Sequence, residues 1–222
     1  MGKFALEELS SNILRAAEAL LGPAVSEPGK GLLVFVRADR EDDLKNLAIL
    51  VSQKMSKDKP APIYVVQGHV RGKYGWPFSR IKKGPRLKLN YDGQIVTETG
   101  GLIFPQDRRI VLLVEYFDCL EPRDQRAYAH LVDGEGEESA LHSGSILIGG
   151  LRSDNPGQLE DGAANRGLFF PPPPLTDLSP RQLDTLAELW DKGVTPEVWE
   201  LVASAMLKEE DIVKVRDWLK SG

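Results

Sequence analysis

The chain has 222 residues, 41% of them apolar, with 28 Lys+Arg against 33 Asp+Glu. That length suits one domain with an appendage or two small ones, and a net charge of −5 at pH 7 argues against a general nucleic-acid or membrane coat while leaving room for a local basic patch. The single Cys119 excludes a disulfide framework and a Cys-based zinc site, and His69, His130 and His142 are too scattered for a histidine metal cluster, so no metal is expected. Residues 4–21 carry Leu6, Leu9, Ile13, Ala16, Ala17 and Leu20 on one helical stripe that Gly22-Pro23 ends. Residues 32–36 are apolar throughout, the pattern of a central strand buried on both faces. Leu44, Leu47, Ala48, Val51 and Met55 then predict a helix over 41–55, and residues 63–66 a second strand.

From 68 to 101 the periodicity weakens into a Gly- and Lys/Arg-rich stretch that reads as loops and hairpins. Residues 109–114 are a third buried strand, 122–132 a helix with Pro122 in its first turn, 145–150 a fourth strand and 168–170 a short fifth. Pro171 to Pro174 cannot continue a central strand and mark a stiff boundary. Three helices follow over 179–191, 195–207 and 208–220, the first two opened by Ser179-Pro180 and Thr195-Pro196. Strands alternating with helices predict an α/β domain over 1–172 with a parallel five-stranded sheet between helices, then a small helical unit over 173–222. The longest apolar runs fall far short of the ~20 residues of a membrane span. The first residues lack the apolar core and cleavage site of a signal peptide. The expectation is a soluble, cytoplasmic protein.

The loop after the first strand is the natural phosphate site of such a sheet. A phosphate-binding loop there needs G-x-x-x-x-G-K-[ST], so that backbone amides, a helix N-terminus and a lysine surround the anion. The chain has Asp39-Arg40-Glu41-Asp42-Asp43-Leu44-Lys45-Asn46 instead. Lys45 and Asn46 stand where Lys and Ser/Thr belong, but both glycines are missing and four carboxylates crowd the entrance. Acids capping a helix and complementing its dipole explain that pattern better than phosphate binding. The third strand ends Val114-Glu115-Tyr116-Phe117-Asp118: Val114 occupies the position of a magnesium-binding acid, and Glu115 that of a water-polarising one.

In element order the span 31–176 resembles the AAA+ ATPase domain, in particular its MoxR-like and CbbQ-like group. Residues 32–55 resemble the first strand, phosphate loop and helix. Gly72-Lys73-Tyr74, Tyr91-Asp92-Gly93 and Gly100-Gly101-Leu102-Ile103 resemble that group's insert, and 110–118 with Glu121-Pro122 its magnesium strand and helix. Residues 146–150 resemble the γ-phosphate-sensing strand, and Asn165-Arg166-Gly167 the arginine-finger neighbourhood. The resemblance implies a P-loop-NTPase-like sheet and a C-terminal helical lid, here short. Each departure from it (no loop glycines, Val114, Gly149 or Gly150 at the sensing position) points to lost nucleotide turnover. The expected function is a non-hydrolysing structural or regulatory subunit that is not an enzyme and holds no cofactor. Its expected partner is itself or an active AAA+ relative, with Arg166 offered to a neighbour's site. Lys45, Glu115 and Arg166 are the vestigial catalytic candidates.

A second expectation comes from composition. Between His69 and Tyr91 there is no acid, while Arg71, Lys73, Arg80, Lys82, Lys83, Arg86 and Lys88 interleave with Tyr74, Trp76 and Phe78. Cations alternating with stacking rings suit a single-stranded nucleic-acid groove. An acidic protein partner, or a solvated loop anchored by its aromatics, fits the same composition. The alternative function is thus a nucleic-acid-binding accessory factor. A weaker alternative is an atypical ATPase using Lys45 and Glu115.

Overall fold

The computed structural model describes residues 3–22, 30–38, 40–56, 58–67, 86–98, 104–105, 107–133, 141–152, 159–170 and 180–221. In chain order these form α1 (Lys3–Leu21), β1 (Leu32–Ala38), α2 (Glu41–Met55), β2 (Ile63–Gln67), β3 (Arg86–Leu89), β4 (Ile95–Glu98) and β5 (Val111–Glu115). A 3-10 turn (Phe117–Cys119) leads to α3 (Pro122–Asp133), β6 (Ile146–Arg152), α4 (Asp161–Ala164) and β7 (Gly167–Phe170). Helices α5 (Pro180–Asp191), α6 (Pro196–Met206) and α7 (Glu209–Ser221) close the chain. The Pro tract 171–174 and Ser179 lie outside the described residues.

One sheet runs in the order β4-β3-β2-β5-β6-β1-β7. Five of its strands, β2, β5, β6, β1 and β7, pair in parallel, whereas β3 and β4 add an antiparallel hairpin at one edge. The expected five-stranded sheet is therefore seven-stranded. The two extra strands are a hairpin within the stretch that reads as loops and hairpins; Arg86-Leu87-Lys88-Leu89 offers only two apolar–polar alternations, too few to assign them to the sheet. Its hairpin closes at Asn90, whose N–H donates to the Gln94 carbonyl at 2.8 Å, with Gly93 at φ 84° supplying the left-handed turn residue.

Continuous apolar runs gave the central strands because both faces of the sheet are covered. On one face Val34, Val36, Val65, Val111, Leu113 and Ile148 meet α1 and α2. Lys54 on α2 ties α1 down: its ammonium lies 2.7 Å from the Glu7 carboxylate and donates to Ser10 Oγ at 2.8 Å. The C-terminal helices share this cluster through Leu186, Trp199, Val202 and Met206. Trp199 stacks edge-on against Trp190, with ring centres 5.4 Å apart, and its indole N–H donates to the Leu186 carbonyl at 2.9 Å. Gln182 Nε2 donates to the Gly167 carbonyl at 3.0 Å, binding α5 to the start of β7. As the sequence predicts, Thr195 caps α6, accepting from Val198 N with Pro196 behind it in the first turn.

On the opposite face Leu33, Phe35, Tyr64, Leu112, Val114 and Leu147 pack with α3 and the 3-10 turn. Phe35 is fully buried, 5.1 Å from Phe117 and 5.0 Å from Phe169 between ring centres. Its register partner on β6 is Gly149, where a Cβ would come within 2.9 Å of the Phe35 ring. Phe35→Ala empties this pocket on the central strand and is expected to cost about 3–5 kcal/mol, read as a lower urea midpoint.

Candidate functional site

The outgoing connections of the adjacent strands β1 and β6 diverge. From β1 the chain travels through α2 to β2, past β6 and β5; from β6 it travels through α4 to β7 on the other side of β1. That divergence makes the crevice outside the carboxyl ends of β1 and β6 the preferred ligand position of this topology. The start of α2 lies at this edge. Its N-cap, Arg40, is extended and makes no side-chain cap bond. Asp42 is exposed and Asp43 buried, so these acids meet the positive end of the helix as charges and not through a capping bond at Arg40. Asp39 lies outside the described residues.

The structure brings two of the sequence candidates together. Lys45 Nζ lies 3.7 Å from Glu115 Oε1, an ion-pair distance longer than a hydrogen bond. Glu115 is fully buried, while Lys45 keeps 19% of its side chain exposed. Val114 is buried in the apolar cluster beneath the opposite face. Tyr116 follows at φ 52°, ψ 52°, a left-handed conformation that costs a non-glycine residue about 1–2 kcal/mol. Beyond it, buried Asp118 meets Arg152 at the end of β6, Oδ2 to Nε 3.4 Å. Arg152 carries no sequence signal; only the parallel pairing of β5 with β6 brings it beside Asp118.

Gly149 and Gly150 have packing roles. Gly149 leaves space for Phe35 and Phe117, and a Cβ on Gly150 would collide with the side chain of Leu44. Leu44, in the first turn of α2, is itself buried, so an apolar side chain lies over the bare backbone of β6 beside the crevice.

Arg166 sits between α4 and β7, half-buried, and its Nη1 donates to the Gly162 carbonyl at 2.8 Å. It is not near Lys45 through any contact the structure records among the described residues. Helix α4, which holds it, is anchored by Glu160, whose carboxylate accepts from Ala163 N at 2.9 Å and from Arg126 Nε at 2.9 Å. Burial pushes the Glu160 pKa up, but the hydrogen bonds from Arg126 and from the amides of Ala163 and Gly162 outweigh it and hold the carboxyl below its ordinary value.

Of the basic segment, Arg71, Lys73, Tyr74, Trp76, Arg80, Lys82 and Lys83 lie outside the described residues. Arg86 and Lys88 lie on β3, and both reach Glu98 on β4, at 3.7 and 3.2 Å. The Arg86 guanidinium also stands 5.7 Å above the Tyr64 ring. These two cations therefore serve the hairpin as cross-strand partners.

A second concavity was not foreseen from the sequence. At the amino ends of β2 and β5 and the far end of β3, a cleft of about 790 Å³ is lined by Lys59, Lys88, Asn90, Tyr91, Arg108 and Arg109, with Asp107 as its acid. Tyr91 is 46% exposed, and its hydroxyl donates to the Ala61 carbonyl at 3.1 Å, fixing the ring at the mouth. Among the described residues no group of three or more His, Cys, Asp or Glu side chains could hold a metal ion, and no helix is long and apolar enough to cross a membrane.

Two outcomes follow from this geometry. Lys45→Met should destabilise the fold by about 1–3 kcal/mol, and much less in a Glu115→Gln background; a double-mutant cycle by urea unfolding measures the coupling. Because the folded-state pKa of Glu160 is lowered, its carboxylate adds stability above the unfolded-chain value, and this is lost as pH falls through the folded one. Glu160→Gln should therefore be less stable than the parent at neutral pH, the gap closing in acid, as read from denaturation midpoints across a pH series.

No protein-family model matches the chain, and a search of curated proteins returned no match.

Proposed function

We propose that the chain is a non-hydrolysing AAA+-like protein that works as a structural or regulatory subunit of a protein assembly. The observation that carries this reading is the state of the crevice at the start of α2. Leu44 occupies the wall beside Gly150, Lys45 is turned toward buried Glu115, and Asp42 and Asp43 stand at the helix entrance. A triphosphate approaching this point meets the exposed carboxylate of Asp42 and a lysine already turned toward buried Glu115. Two like charges 4 Å apart cost about 4 kcal/mol at an effective dielectric of 20, so an anion beside Asp42 is disfavoured.

The sheet supports kinship with P-loop enzymes at the level of arrangement. The first parallel strand, β1, lies inside the sheet between β6 and β7, and the following helix begins at the carboxyl edge. The position that would hold magnesium there, in contrast, is Val114 in the core, and the next acid but one, Asp118, is engaged with Arg152. A frame retained with its nucleotide chemistry removed is suited to holding partners in register. Arg166 is the residue such a subunit would offer to an active neighbour. Lending it requires, among other things, release of its hydrogen bond to the Gly162 carbonyl.

Titration calorimetry with Mg-ATP tests the reading: no micromolar binding is expected, together with a light-scattering mass above the 24.5 kDa monomer, alone or mixed with an active relative. ATP turnover that disappears in Lys45→Ala would overturn it in favour of an atypical ATPase.

A further inference from the structure

The cleft at the amino ends of the strands lies at the opposite edge of the sheet from the α2 crevice and serves neither the proposed scaffold role nor any nucleotide step. Its residues come from three separate places in the chain. Register explains the meeting: Ile63 at the start of β2 lies opposite both Leu89 at the end of β3 and Val111 at the start of β5. The segments just outside those three residues, carrying Lys59, Asn90-Tyr91 and Arg108-Arg109, thereby converge.

Its charge is one-sided. Four cations face one lining carboxylate on a protein whose net charge is −5. Lys88 is shared with Glu98, and Arg108 lies 2.7 Å from Asp107. Lys59 and Arg109 are exposed and make no ion pair within 4 Å among the described residues. Their uncompensated positive charge borders a tyrosine ring whose hydroxyl is already fixed to the Ala61 carbonyl. That carbonyl also accepts from buried Ser52 Oγ, so the anchor belongs to the α2–β2 junction and not to a loose loop. A ring held in place loses little conformational freedom when something stacks on it.

We propose that this cleft binds single-stranded nucleic acid, one base stacking on Tyr91 while adjoining phosphates meet Lys59, Arg109, Lys88 and Arg108. Cations beside a stacking ring are the sequence-tolerant means of holding a single strand. An acidic peptide answers the charges but leaves the ring without a partner. Tyr91 also ends the acid-free run that begins at His69. A mononucleotide carries the same base-plus-phosphate chemistry and is separated from a strand by competition.

The test is fluorescence anisotropy of the full chain with a labelled oligothymidylate of about ten nucleotides, within the usual range of about 4–16 per site. Four phosphate contacts predict a log–log salt slope near −3, at about 0.7 per contact, and the Lys59→Ala/Arg109→Ala double variant should halve it. Tyr91→Leu should weaken binding about tenfold, and Tyr91→Phe, which keeps the stacking face but loses the hydroxyl anchor, by much less. Absence of binding overturns the proposal, as does binding that ignores these variants but is lost in Lys82→Ala/Lys83→Ala. Displacement by thymidine monophosphate or oligoglutamate at the strand's own affinity overturns it too. Should Tyr91→Leu fail to fold, photocrosslinking of a bromodeoxyuridine-substituted strand to the unmodified protein decides: crosslinks at Tyr91 support the cleft, and crosslinks confined elsewhere overturn it.

Discussion

Phe35 has nowhere to go unless its neighbours give up their side chains. It sits on the strand that pairs in parallel on both sides, with Gly149 opposite it on β6, while Gly167 on β7 also faces its ring. Those two bare positions admit a phenyl group worth about 1.5–3 kcal/mol of burial at the centre of the sheet. The ring then supports Phe117 in the turn after β5 and Phe169 on β7, so the aromatic cluster joins three strands and the crevice floor. The glycines that read as a lost sensing position thus have a mechanical reason to be glycine, which holds whether or not the fold ever carried nucleotide.

The two edges of the sheet have opposite electrostatic characters. At the carboxyl edge two ion pairs are internalised, Lys45 with Glu115 and Arg152 with Asp118, each including an almost fully buried acid, while Arg40 and Asp42 stay exposed. Buried pairs of this kind add little net stability over an apolar replacement, but losing one partner is expensive. At the amino edge Lys88 and Arg108 have acidic partners, but Lys59 and Arg109 are left in solvent bordering a cleft. Unmatched cations bordering a cleft are open to an outside partner.

Much of the architecture was legible because the central strands are apolar on both faces and the helices have clear stripes. The bounds of α2 agree with the periodicity of Leu44 to Met55, and Thr195-Pro196 marked the start of α6 by cap chemistry. A hairpin within 68–101 was legible, but not that it extends the main sheet: four-residue strands give too few alternations, and its lysine and arginine reach a glutamate known only from cross-strand register. Lys45 and Glu115 were each visible from their element's end, but not that they meet. Arg152 and the amino-edge cleft left no local trace, since their partners are separated by long stretches of chain and only strand order brings them together.

Tyr116 has a consequence for the handedness of side-chain alternation. Along β5 the odd residues Val111, Leu113 and Glu115 address the α1–α2 face, and plain continuation would send residue 117 there as well. The left-handed step at Tyr116 reverses that parity, and Phe117 enters the other layer beside Phe35 and Tyr128. A single torsion therefore lets consecutive odd positions serve opposite sides of the molecule, an acid for one layer and an aromatic for the other.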